Sequence, residues 1–178
     1  MRLRLEWIVI CVAAAVLVLA CALYALNPFR APDLSLTGRL FGFRTFRQAS
    51  PSMEPTIRKG AYLSVRAYGI LHAHPAPGDV VAFHYPSDPN VSYAKRIVAE
   101  GGDTVGVLRG RVIRNGKAVD EPYLNRQVTE TADDDSMEPV QIPPNCYFVL
   151  SDNRAYGSDS REYGCVPATF IIGKVMLK

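Results

Sequence analysis

The chain has 178 residues, 48% hydrophobic and 21% charged, which suffices for one domain with a real core and is too little for two ordinary ones. Its formal charge is +3, and without Arg2, Arg4 and Glu6 the remainder carries 18 basic against 16 acidic side chains. That balance provides no electrostatic footprint for nucleic acid, so nucleic acid is excluded as an expected partner.

Residues 1–6 form a short charged start. They are followed by "WIVICVAAAVLVLACALYAL", Trp7 to Leu26, a run of 20 residues without charge or proline, long enough to cross the hydrocarbon core as one helix. Arg2 and Arg4 precede it. The positive-inside bias therefore puts the N-terminus in the cytoplasm and everything after Asn27 on the extracytoplasmic side of the membrane. Two competing readings are a signal peptide cut after Ala20-Cys21-Ala22 and lipoprotein processing at Cys21, the latter opposed by Leu19 where small residues are usual. Cys11 and Cys21 lie in the apolar run and need no function, since a free thiol behaves as a small hydrophobe.

Residues 27–40, "NPFRAPDLSLTGRL", read as a proline-bearing connector, and 41–178 as a single extracytoplasmic domain. There "AYLSVRAYG", "GDVVAFHYP", "YAKRIVAE", "DTVGVLRGRVIRNGKAV", "CYFVLSD" and "FIIGKVMLK" have the alternation or the β-branched runs of short strands. Pro-Gly, Gly-Gly-Asp and Asn-Gly turns separate them, so the expected class is mainly β, with Asn115-Gly116 at a hairpin tip. "TETADDDSMEP" lacks periodicity and reads as an exposed acidic loop. Cys146 and Cys165 flank "YFVLSDNRAYGSDSREYG"; an oxidising space would allow them to pair, although sequence leaves their separation open.

Chemistry concentrates around "ASPSMEPTIRKG", residues 49–60. A nucleophilic serine needs a rigid turn, a proton acceptor and donors for the oxyanion. Pro51 and Pro55 restrict the backbone on either side of Ser52. Ser136-Met137-Glu138-Pro139 repeats four letters of this block, but its serine follows three aspartates, whose field opposes an oxyanion, so Ser136 is read as a bystander. His72 and His74 sit in "LHAHPAPG", a stretch of surface-loop composition, and His84 alternates along a strand; none has a companion ligand at a recognised metal spacing. Lys95 has apolar and aromatic neighbours in a predicted strand, where desolvation would lower its pKa and let it accept a proton. The competing reading is an edge-strand lysine with its head in water.

Four blocks in order, "SPSMEPTIRKG", "PGDVVAFHYP", "YAKRIVAEGGDTV" and "SDNRAYGSDSREYGCVP", behind an N-terminal apolar run, resemble the type I signal peptidase family, the bacterial leader peptidases. The resemblance spans Phe46 to about Lys174. It implies a membrane-anchored serine endopeptidase with a Ser/Lys dyad and a β-rich core, which frees exported precursors from their N-terminal signal peptides after small residues and needs no cofactor. Its partners would be those precursors and the lipid bilayer, with export machinery a further candidate.

By the same resemblance Ser52 is the nucleophile and Lys95 the general base, with the Ser50 hydroxyl and the Ser52 backbone N–H as oxyanion donors. Met53 supplies apolar surface beside the dyad. Arg96 and Asp152 form an ion pair holding the lysine strand to the later loop, and Asp159 with Arg161 braces that loop. Phe41, Phe43 and Phe46 are candidates for lipid contact or for ordinary core.

Two departures stand out. Gly157 occupies the place where many family members have a serine orienting the lysine, which leaves that bond either absent or supplied by Ser158 or a water; Ser151 replaces the usual glycine before Asp152. Only about 45 residues separate Glu100 from Cys146, so the expected form is a compact catalytic core with a small hairpin extension. The alternatives are a peptidase of the same superfamily dedicated to one substrate such as a conjugative pilin, a repressor-type Ser/Lys autoprotease, opposed by the anchor, and a noncatalytic anchored β-scaffold.

Overall fold

The computed structural model describes residues 2–27, 36–67, 74–124 and 136–177. Most of the connector, His72 and the acidic stretch 125–135 lie outside the described residues.

Helix α1 (Arg2–Leu26) contains a 22-residue apolar stretch, Leu5–Leu26, of mean hydropathy 2.9. At about 1.5 Å per residue that length matches a hydrocarbon core of roughly 30 Å. The helix starts earlier than the apolar run because Arg, Leu and Glu are good helix formers. A second helix, α2 (Leu36–Phe41), takes the end of the expected connector. Arg39 donates from Nη1 to the Tyr24 carbonyl at 3.2 Å, and its guanidinium lies 4.9 Å from the Tyr24 ring centre, tying α2 to α1.

The rest is built on two antiparallel sheets. The larger has seven strands, β1 (Phe43–Arg47), β2 (Tyr62–Arg66), β3 (Val80–Tyr85), β4 (Asp88–Glu100), β9 (Cys146–Leu150), β10 (Val166–Pro167) and β11 (Ile171–Val175), in the order β1-β2-β11-β3-β4-β9-β10. The smaller has four, β5 (Thr104–Leu108), β6 (Arg111–Arg114), β7 (Lys117–Ala118) and β8 (Met137–Gln141), in the order β7-β6-β5-β8.

The middle of the larger sheet is buried on both faces, which explains why β3 reads as an unbroken apolar run, whereas β1 and β2 leave one face exposed. Val80 and Ala82 join Met53, Leu63, Val65 and Ile172 in one cluster, while Val81 and Phe83 pack with Ile97, Val149 and Val166 in another. A third cluster, including Val98, Val105, Val112 and Phe148, joins the two sheets.

The extension is more than the expected hairpin, because β8 returns to pair with β5. The end of the stretch read as an acidic loop is thus a strand. Its side chains are nearly all exposed, so no buried face imprints a period of two on the sequence. The hairpin tip is where expected: Asn115 and Gly116 both have positive φ, 52° and 74°, as a two-residue turn matching strand twist requires.

Cys146 and Cys165 form a disulfide with Cα atoms 5.8 Å apart and 19 residues apart in sequence. It clips the start of β9 to the segment just before β10. Closing a loop of this size stabilises by about 3 kcal/mol through the unfolded chain. The double variant Cys146→Ala/Cys165→Ala should therefore melt roughly 10 °C lower by calorimetry. Equal melting temperatures would mean that the bond does not constrain the unfolded chain.

Candidate active site

The Ser52 turn is rigid for local reasons. Ser50 is extended (φ −117°, ψ 162°) and caps a single 3-10 turn, Pro51–Met53, in which Pro51 takes the first position, suited to a residue without an N–H. The Ser50 hydroxyl accepts from the Ser52 backbone N–H at 3.4 Å and is hydrogen-bonded to the Ser52 hydroxyl at 3.0 Å. Met53 is fully buried in the core cluster beneath. The later loop grips the turn: Asn153 donates its backbone N–H to the Ser52 carbonyl at 2.9 Å and its side-chain amide to the Pro51 carbonyl at 3.3 Å.

Lys95 reaches the same place from the middle of β4, where it pairs with Val81. It is 3% exposed, so the edge-strand reading with the ammonium in water does not hold. Burial pulls its pKa from 10.5 to about 8; Asp159 opposes the fall, Arg161 adds to it, and Asp152 and Glu162 oppose it in turn. Nζ donates to the Ser151 hydroxyl at 2.8 Å.

Lys95 and Arg96 project to opposite faces of β4, as neighbours on a strand must. Consecutive residues beyond the end of β9 meet them, Ser151 meeting Lys95 and Asp152 meeting Arg96. The Arg96–Asp152 contact is bidentate, 2.8 Å from Nε and 2.7 Å from Nη2, with the carboxylate fully buried. Arg96 also donates to the Gly78 carbonyl at 2.8 Å and stacks 3.8 Å from the Tyr123 ring centre. Burial disfavours its charge, but the hydrogen bond to Asp152, the charge of that carboxylate and the smaller contributions of Tyr123 and Glu121 together outweigh this and raise its pKa.

Asp159 caps the short helix α3 (Ser160–Tyr163) by accepting from the Arg161 backbone N–H at 3.2 Å. It is paired with the Arg161 guanidinium at 2.9 Å and accepts from the Ser151 backbone N–H at 3.0 Å. Burial pushes the Asp159 carboxyl up, but these partners together hold it below the ordinary carboxylate range.

The fold thus gathers Ser50, Ser52, Met53, Lys95, Arg96, Asp152, Asp159 and Arg161. Ser136 lies elsewhere, beside β8, with its hydroxyl accepting from the Arg109 N–H at 3.2 Å. His84 bonds the Pro89 carbonyl at 2.7 Å within the β3–β4 hairpin. Phe41 is 65% exposed and Phe43 also faces out, whereas Phe46 packs against the core, so the three do not form one surface.

Sequence reasoning gave no role to four residues that the structure ties to the site. Gln48 is buried and donates from Nε2 to the Ser50 carbonyl at 3.0 Å and to the Ser52 hydroxyl at 3.4 Å. The Thr56 hydroxyl bonds Asp152. Asn153 holds the serine turn. Buried Arg154 pairs with buried Glu121 and donates to the Ser151 and Gly110 carbonyls at 2.8 Å, linking the site to the smaller sheet. Of these only Asn153 and Arg154 had a signal, as members of the Asp-Asn-Arg string.

Ser158 does not supply the lysine's orienting bond: its hydroxyl bonds Glu162, and Lys95 donates to Ser151 instead. Beside Gln48, a cavity of about 40 Å³ is lined by Phe46, Leu63, Ala82, Tyr93 and Ala94, among others.

A family model described as "Signal peptidase, peptidase S26" matches residues 4–178. Signal peptidase I of Bacillus caldolyticus is 34% identical over 78% of this chain and 80% of its own. Signal peptidase IB of Staphylococcus aureus is 29% identical over 98% of this chain and 88% of its own. The crystal structure of a signal peptidase I from Enterococcus faecalis superposes with a TM-score of 0.53 at 28% identity, covering 58% of this chain and 98% of that one.

Proposed function

Because the chain belongs to the signal peptidase family, peptidase S26, and is a serine endopeptidase of the mainly β type, we propose that it uses a Ser52/Lys95 dyad to cut N-terminal signal peptides from exported precursors after small residues. The observation that carries this reading is the burial of Ser52 and of a lysine with a pKa of about 8 on either side of Gly157, where a Cβ atom would lie 2.7 Å from the Ser52 Cβ and 3.1 Å from the Lys95 Nζ.

In the first step the Ser52 Oγ attacks the scissile carbonyl carbon while its proton passes to the neutral Lys95 amine. The Ser50 hydroxyl and the Ser52 N–H, which bond within the serine turn in this structure, would turn to the oxyanion when substrate binds; losing one such donor costs about 3 kcal/mol of transition-state stabilisation. The carbon–nitrogen bond then breaks, the leaving amine takes the proton back from Lys95, and a water completes the cycle by hydrolysing the acyl-enzyme. Arg96, Asp152, Asp159 and Arg161 keep the lysine strand and the loop in register.

The small cavity beside Gln48, lined largely by apolar and aromatic side chains, suits a small apolar group, in keeping with cutting after small residues. Helix α1 would anchor the enzyme, N-terminus in the cytoplasm, on the membrane that also holds the signal peptide, reducing the search to two dimensions. Precursors, lipid and export machinery are the partners this implies.

The test is cleavage of a purified precursor in detergent, with the new N-terminus of the product sequenced. Cuts after alanine or another small residue uphold the reading; cleavage of one dedicated substrate alone would replace it. The pH dependence carries a definite sign. Lys95 must be neutral to accept the proton, so kcat/KM should rise through pH 8 and level off above it. An acid limb near pH 10, where an ordinary lysine titrates, would contradict the buried base.

A further inference from the structure

Two neighbouring features of the site are unusual together. Gly157 has φ +93°, and a Cβ there would lie 2.7 Å from the Ser52 Cβ, closer than real contacts allow. The obstacle is no flexible tip but the root of a side chain held in a capped 3-10 turn. The same Cβ would sit 3.1 Å from the Lys95 Nζ and 3.5 Å from the Ser151 Oγ. A side chain at 157 would thus enter the space where nucleophile, lysine and Ser151 meet.

Ser151, for its part, is fully buried and fixed from both sides. Its N–H donates to Asp159 at 3.0 Å, its carbonyl accepts from the Arg154 Nε at 2.8 Å, and its hydroxyl accepts from the Lys95 Nζ at 2.8 Å. A bare glycine at 151 would leave the amine without this acceptor. We propose that Ser151 is the positioning residue for the Lys95 amine in this chain, and that Gly157 is its necessary complement, the two forming one coupled pair. This rests on the Ser52/Lys95 reading.

The chemistry fits both states of the base. A neutral amine has two N–H groups and one lone pair; donating one N–H to Ser151 fixes the head group and leaves the lone pair for the serine proton. After transfer the ammonium is buried, and the Ser151 oxygen is an acceptor for it. Hydrogen bonding to the charged form favours that form. Removing the acceptor should therefore misplace the base and also lower its pKa. The charges facing Lys95 are Asp159, Arg161, Asp152 and Glu162, all on the loop and helix after β9, while its own strand adds the neutral Tyr93 ring at 5.9 Å. None of these is altered by substitutions at 151.

The experiment follows kcat and KM for precursor cleavage from pH 6 to pH 10 in the full chain and its variants. Ser151→Ala should lose roughly 100-fold in kcat with KM little changed, and its acid limb should move to lower pH. Ser151→Thr, which keeps the oxygen, should recover most of the rate and the original limb. Ser151→Cys, near in size but a weak acceptor, should behave like Ser151→Ala, and stands in for it if alanine prevents folding. Gly157→Ala should lose activity by displacing Ser52. The proposal is overturned if Ser151→Cys keeps wild-type kcat and limb, or if kcat falls with the limb unmoved and Thr restores nothing, which marks a merely structural residue. Ser52→Ala run alongside separates the layers: residual cleavage there sinks the dyad itself, whereas a dead Ser52→Ala beside an unaffected Ser151→Cys sinks only the positioning pair.

Discussion

Ser52→Ala and Lys95→Met should each lower precursor cleavage by about 10⁴-fold or more, with the double variant no worse than either single one. Residues that act as a unit are not additive, because once the nucleophile or its base is gone the other has nothing to do. Both side chains are buried, so each variant must also be shown to fold. The lysine's pKa is lowered from 10.5 to about 8, so between these values the unfolded chain binds more protons than the folded one, and stability rises with pH. Below pH 8 the buried ammonium carries a cost of about 3 kcal/mol. An apolar methionine removes it. Lys95→Met should therefore melt no lower than wild type at pH 7 while being inactive, which distinguishes loss of the base from loss of the fold. Ser136→Ala should cut at the wild-type rate.

The second large effect is expected at the Arg96–Asp152 pair. Asp152→Ala leaves a buried guanidinium without its bidentate partner, at a cost of about 3–5 kcal/mol in unfolding free energy. Activity should fall as well, because Asp152 adjoins Ser151 and draws the loop onto β4. In Arg96→Met/Asp152→Ala no orphan charge remains, so urea midpoints should recover a good part of the lost stability. A loss under about 1 kcal/mol for Asp152→Ala would mean that water already shares the pair.

Both predictions involve residues that were legible in the chain. Ser52, Lys95, Arg96 and Asp152 lie in short ordered blocks, and the neighbouring strands β3 and β9 show as apolar runs because the middle of the larger sheet is buried on both faces. The tip at Asn115-Gly116 was legible because two successive positive φ values select those residue types. Strand β8 was not, since an almost wholly exposed strand owes its place to pairing with β5 rather than to any pattern of its own.

The lysine's acceptor was missed for a different reason. Gly157 looked like a missing serine with Ser158 as the nearest substitute, because sequence offers adjacency along the chain. What decides the matter is distance across the fold: Ser151 precedes Gly157 by six residues, yet its hydroxyl lies 3.5 Å from where a Cβ at 157 would be. Gln48 and Glu121 escaped likewise, since nothing local marks a polar residue whose partners come from a separate turn or strand.

The central claim is that Ser52 is a nucleophile activated by Lys95, and the most direct measurement is covalent. The intact chain is incubated in detergent at pH 9 with an electrophilic peptide bearing alanine next to its reactive carbonyl, then digested and mapped by mass spectrometry. The account predicts one acylated serine, Ser52, labelled in wild type and unlabelled in Lys95→Met. Label on Ser136, or equal labelling of Ser52 without the lysine, would contradict it.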